Sequence, residues 1–151
     1  MIATCVVDAS VGIKLFIEED GSKQADLLFR ELAENPGSRF YVPDLFFLEC
    51  ANILWKYVRH FDYPAENARQ DVTDLCALAL RSISTADLMV SGLALALEYR
   101  ITAYDACYAA LAQQTRLPLV TADVALIQKL EGSGIEFLDL QRINSFNQSS
   151  T

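Results

Sequence analysis

Histidine is almost missing from this chain. His60 is the single one, which leaves little for a metal site built on imidazole, and a Cys-His hydrolase would have to rest on that one residue beside Arg59. Glycine is sparse too, and the six present form neither G-x-G-x-x-G nor G-x-x-x-x-G-K-[ST], the loops that cradle nucleotide phosphates. The four cysteines, Cys5, Cys50, Cys76 and Cys107, lack any C-x-x-C pairing. Scattered inside apolar segments, they read as buried free thiols of a reducing cytoplasm rather than as disulfides or zinc ligands. Basic residues are outnumbered, 12 Lys and Arg against 20 Asp and Glu, for a net charge of −8. That excludes a broad basic face for nucleic acid, so a polyanionic partner has to be held by a local patch or by metal ions. The longest uncharged runs, such as Leu88 to Leu97, are ten residues, against the roughly 20 a membrane-spanning helix requires. The opening MIATCVVDAS has no basic region and meets Asp8 early, so it does not read as a secretory signal. A soluble protein with no membrane partner is expected.

What is present is enough apolar material for a core: 52% of 151 residues, with no Ser/Pro/Gly-rich linker dividing them. One domain is expected over 1–144, followed by a polar, frayed tail over 145–151. Ile2 to Val7 is a continuous β-branched run, the mark of a strand buried on both faces. Further short strands are expected at Phe40 to Val42, Leu80 to Ser84, Leu117 to Val120 and Ile135 to Leu138. Helical periods fill the gaps. Ser22 reads as the N-cap of a helix with Ala25, Leu28, Phe29 and Leu32 on its core stripe, and Pro43-Asp44 opens a helix whose stripe is read as Leu48, Ala51, Trp55 and Val58. A third carries Ala68, Val72, Leu75, Cys76 and Ala79. Thr85 reads as the cap of a helix packed through Met89, Leu93, Ala96 and Leu97, and Tyr104, Tyr108 and Leu111 mark another. Alternation of continuous apolar strands with helices indicates a three-layer α/β/α domain around a central, mainly parallel sheet of about five strands.

Four acids stand out by position. Asp8 ends the first strand and Asp123 follows the fourth, at the carboxyl edge where such sheets bind ligands. Asp105 opens a helix. Glu49 lies beside the core stripe of its helix, with Asn52 three residues on and next to it on the same face. Taken singly, Asp105 and Asp123 are also explained as helix caps. Taken together, four carboxylates would repel one another unless cations neutralise them. Oxygen ligands without Cys or His suit a hard ion, Mg²⁺ or Mn²⁺, and two-metal sites of this kind activate water for phosphodiester hydrolysis.

The spaced set V-V-D-A-S ending at Ser10, P-D-L-F-F-L-E-C-A-N-I-L from Pro43 to Leu54, Y-D-A-C-Y-A-A-L-A from Tyr104 to Ala112, and L-V-T-A-D from Leu119 to Asp123 resembles the PIN-domain ribonucleases. The likeness is greatest to the single-domain VapC-type toxins of bacterial toxin–antitoxin pairs, and it spans about Ile2 to Leu138. It implies a parallel sheet covered by helices and an acidic pocket that binds Mg²⁺ or Mn²⁺ for endonucleolytic cleavage of RNA. Asp8, Glu49, Asp105 and Asp123 match the family's acidic positions. Ser10 and Thr121 match its hydroxyl positions and Asn52 a commonly polar neighbour of the Glu, with hydrogen-bonding roles expected for all three. Relatives pair as homodimers and are held inactive by a small antitoxin. This chain departs from the pattern after its last acid, where Val124-Ala125 stand in place of basic or polar residues, and Lys14 is the nearest basic candidate to meet RNA.

Two other readings compete. A non-catalytic PIN-like module would bind RNA or a partner protein without cutting. A Mg²⁺-binding phosphoacceptor domain would also place Asp at strand ends, but that class has an acidic pair after its first strand, and Asp8 stands alone.

Overall fold

A computed structural model describes residues 4–145 of the chain. In order these form β1 (Thr4–Val7), α1 (Ala9–Gly12), a 3-10 turn (Ile13–Leu15), α2 (Ser22–Glu34), β2 (Arg39–Pro43), α3 (Leu45–His60) and α4 (Ala65–Ala77). Then follow β3 (Leu80–Ile83), α5 (Thr85–Tyr99), α6 (Ala103–Thr115), β4 (Leu119–Thr121), α7 (Val124–Lys129), β5 (Phe137–Asp139) and a closing 3-10 turn (Leu140–Ser145). The start of the expected first strand at Ile2, and the expected tail from 146 onward, lie outside the described residues.

All five strands are parallel, in the order β3-β2-β1-β4-β5. The chain lays down β1, steps outward through β2 to β3, then returns to place β4 on the other side of β1. Strand order therefore reverses at β1, and the crevice beyond the carboxyl ends of β1 and β4 is the topological switch point of the sheet. Register across it is fixed by Cys5 opposite Phe40 and Val7 opposite Val120. Cys5, Val6, Val7, Leu119 and Val120 are fully buried, as interior strands covered on both faces require. Phe40 of β2 meets Phe29 of α2 edge to face at 5.5 Å. Helix α6 lies against β1, β2 and β4, and Ala106 through Ala112 are all buried. Its alanines let it approach sheet and α5 closely, where Gly92 faces the Ala106 carbonyl. Helices on both faces complete the three-layer α/β/α architecture. No described helix is long and apolar enough to cross a membrane.

Several helical faces differ from the periodic expectation. In α3 the buried line is Phe46, Cys50 and Leu54, flanked by Ile53 and Tyr57, whereas Leu48 is 68% and Trp55 55% exposed. Apolar residues crowd 45–48 and 53–55, so a 3.6-residue period fits more than one line, and contact with α1 and β2 selects among them. Trp55 instead lies under the Arg59 guanidinium, 5.9 Å from its ring centroid. In α5 the buried line is Leu88, Gly92 and Leu95, leaving Leu93 and Leu97 exposed. Tyr104 is likewise exposed while Tyr108 and Leu111 are buried. Cys76 is exposed, unlike the other three thiols.

Two caps also shift. Ser22 lies inside α2, where its hydroxyl donates to the Ile17 carbonyl and accepts from the Glu19 N–H. Ser84 precedes α5, and Thr85 directs its hydroxyl and its N–H to Asp44 Oδ1 at the start of α3.

Candidate active site

Asp8 leaves β1 in extended backbone, and its N–H donates to the Val120 carbonyl at 3.0 Å, so β4 fixes its position. Its side chain does not cap α1. Instead Asp8 Oδ2 accepts from the Ser10 hydroxyl and the Thr121 hydroxyl, each at 2.8 Å. Both hydroxyls accept in turn: Ser10 Oγ from the Ala122 N–H at 3.1 Å, Thr121 Oγ1 from the Asp123 N–H at 3.0 Å. Two parallel relays thus run from the loop after β4 through a hydroxyl to one carboxylate oxygen, using the capacity of a hydroxyl to donate once and still accept. No described residue donates to Oδ1, and it is not a buried orphan.

Glu49 lies beside the buried line of α3, one turn after Phe46, and is half-buried. Its Oε1 accepts from the Tyr108 hydroxyl at 2.6 Å, a length typical of a charge-assisted bond. Asp105 sits in the first turn of α6. The capping there is done by Thr102, whose Oγ1 accepts the Asp105 N–H at 3.1 Å, so the Asp105 carboxylate is not consumed as the cap. Asp123 does cap α7, its Oδ1 accepting the Leu126 N–H at 3.1 Å. The plain structural explanation therefore holds for one oxygen of Asp123 as a cap, and for Asp105 as an acid in the first turn of α6 rather than as its cap.

The acids feel one another. Burial pushes the Asp8 carboxyl above its ordinary range; the Ser10 and Thr121 hydroxyls offset part of this, and the charges of Asp105 and Asp123 add to it. Burial also raises Glu49, the Tyr108 bond opposes that, and Asp8 and Asp105 push further upward. Asp105 is raised by burial and then by Asp123, against the pull of Thr102 and Lys129. Each of the four acids is thereby linked to at least one other by like-charge repulsion, although burial is the larger cause of every shift.

As ligands the acids fit a hard divalent ion by chemistry. All are oxygen donors, and Asp8 and Glu49 each direct their protein hydrogen bonds to one oxygen only. Among the described residues no three of them yet converge as ready ligands of one ion.

Two of the residues singled out by sequence are placed elsewhere. Lys14 bonds Glu19 at 2.8 Å with its side chain only 11% exposed, so its ammonium is committed and shielded. Asn52 is exposed and has no side-chain hydrogen bond among the described residues. Conversely, Tyr108 was legible only as a core position, and Thr102 was not singled out. The available signals were the three-residue step from Asp105 to Tyr108, which puts both on one face of α6, and the T-x-x-D spacing of a helix start.

The chain belongs to the PIN-domain family, whose profile matches residues 5–130. Its sequence is 35% identical over 126 residues to Ribonuclease VapC3 of Pyrobaculum aerophilum, covering 82% of this chain and 92% of that protein. The fold is shared with a crystal structure from the same organism (TM-score 0.67, 23% identity, 95% of this chain and 91% of the other). It is also shared with a toxin–antitoxin complex from Klebsiella pneumoniae (TM-score 0.62, 20% identity, 90% and 97%). A third is the VapBC2 structure from Rickettsia felis bound to a promoter DNA fragment (TM-score 0.65, 13% identity, 90% and 98%).

Proposed function

We propose that this chain is a divalent-metal-dependent endoribonuclease and the toxin component of a toxin–antitoxin pair. The observation that carries the reading is Asp8, buried at the switch point of the sheet with one oxygen lacking a protein donor, and near enough to Asp105 and Asp123 that their charges raise its pKa. Likeness to Ribonuclease VapC3 over most of both chains supports it.

Asp8, Glu49 and Asp105 would hold a Mg²⁺ or Mn²⁺ ion, and Asp123 would close the site or recruit a second ion through water. Such an ion, when bound, supplies a Lewis acid for the phosphoryl oxygens and a water acidic enough to attack phosphorus. Ser10 and Thr121 orient Asp8 and fix which of its oxygens faces the pocket. No protein nucleophile is needed. The burial of Asp8 lowers the local dielectric, which strengthens its grip on a cation.

The resemblance further assigns a homodimer, a small cognate antitoxin as partner and the cytoplasm as compartment. An antitoxin that inserts an Arg would find an acidic pocket complementary to it. One observation favours the other reading, a PIN-like module that binds RNA or protein without cutting: the acids do not converge on one point.

Purified chain incubated with RNA and Mg²⁺ or Mn²⁺ is expected to cut, and a chelator is expected to stop it. Cleavage that survives chelation sinks the metal-nuclease reading. RNA retained on the protein but left intact with either metal selects the binding module instead.

A further inference from the structure

We propose that Tyr108 is a positioning residue that holds Glu49 in the orientation a divalent ion requires. This rests on the metal-nuclease reading above. The Tyr108 side chain is 1% exposed, and its hydroxyl bonds Glu49 Oε1 at 2.6 Å. A buried phenol needs a partner for its proton, and Glu49 is the acceptor within reach among the described residues. The bond spans two helices: α6 presents Asp105 and, three residues on, Tyr108, while α3 presents Glu49. One face of α6 therefore supplies one acid directly and aims a second. Fixing Oε1 leaves Oε2 as the oxygen open to an ion. The ring itself fills space against the core, so Tyr108→Phe removes the donor and keeps the volume.

The test is Mn²⁺ binding to the chain, followed by electron paramagnetic resonance without RNA, for wild type, Tyr108→Phe, Glu49→Ala and the double variant. Tyr108→Phe is expected to weaken Mn²⁺ binding about tenfold, the lower end of what loss of a ligand-orienting partner costs. In the Glu49→Ala background the same change is expected to have no further effect, because the tyrosine acts only through the glutamate. Equal weakening in both backgrounds, or binding by Tyr108→Phe within about twofold of wild type, overturns the proposal and leaves the nuclease reading standing. Wild-type chain that binds no Mn²⁺ overturns both. As a check without a Tyr108 variant, Mn²⁺ is expected to shift tyrosine ultraviolet absorbance in wild type but not in Glu49→Ala; an identical response in both counts against the proposal.

Discussion

Asp8→Asn is expected to lower RNA cleavage by about three orders of magnitude and, in the metal-free protein, to raise the thermal midpoint. The first effect follows from removing a charge where cation and transition-state charge are stabilised, losses that run to roughly a thousandfold in shielded sites. The second follows from what Asp8 endures without an ion. Its carboxyl is buried beside Asp105 and Asp123, and its pKa is raised. A folded pKa above the unfolded value means the folded state binds the proton more tightly. The associated stability is complete below the ordinary carboxylate range, about 4, and is lost as pH rises through the raised value. The amide of Asn keeps an oxygen to accept from Ser10 and Thr121 but carries no charge. The gain in midpoint of Asp8→Asn over wild type should therefore be small near pH 4 and grow toward neutrality. Thermal melts across that range with chelator check the sign. A gain that shrinks as pH rises, or cleavage that persists, refutes the account.

Gly12→Ala is expected to destabilise the protein by about 1–2 kcal/mol, although helix propensity argues the other way. Gly12 has helical backbone (φ −59, ψ −40), where alanine is favoured over glycine by roughly 0.5–1 kcal/mol. A Cβ at this position would lie 2.5 Å from Phe46 Cζ and 2.7 Å from Phe46 Cε2. Phe46 is fully buried and packs edge to face on Phe47 at 5.4 Å, so the ring has little room to withdraw. Overpacking costs of roughly 1–3 kcal/mol outweigh the propensity gain. For a chain of this size the midpoint should fall by about 2–4 °C per kcal/mol. Cleavage should fall too, because Gly12 is one turn beyond Asp8 and Phe46 one turn before Glu49, so a wedge between them separates the two acids. Adding Phe46→Leu should recover part of both losses, as contacting residues couple. A Gly12→Ala protein that melts at or above wild type would show that α1 and α3 are not held at this contact.

These two positions also show what sequence could convey. Asp8 was visible because it ends a continuous apolar strand, and Asp123 because it follows another; both are local patterns. Apart from the family likeness, Glu49 was visible only as an acid near a core stripe, and that stripe was one of several that the apolar residues of α3 allow. The sheet and α1 choose the line through Phe46, Cys50 and Leu54, and with it the half-buried place of Glu49. The Gly12 to Phe46 approach, the Tyr108 to Glu49 bond and the pairing of Lys14 with Glu19 depend on side chains meeting across elements. Periodicity and motif spacing carry no information about such meetings. The two hydroxyls were found by family likeness, but their convergence on a single oxygen of Asp8 depends on β1 and β4 being neighbours.

That adjacency bears on the order in which the chain is made. The Asp8 carboxylate is gripped by a hydroxyl 113 residues away in sequence, a contact whose closure entropy is met only when the intervening helices have packed. During synthesis β1 emerges first and waits for β4. A chain released before Thr121 has neither the hydroxyl that seats Asp8 nor the final acid. The seating of Asp8 therefore requires the same strand, β4, that pairs with β1 at the centre of the sheet, so a chain shortened before Thr121 is expected to cut no RNA.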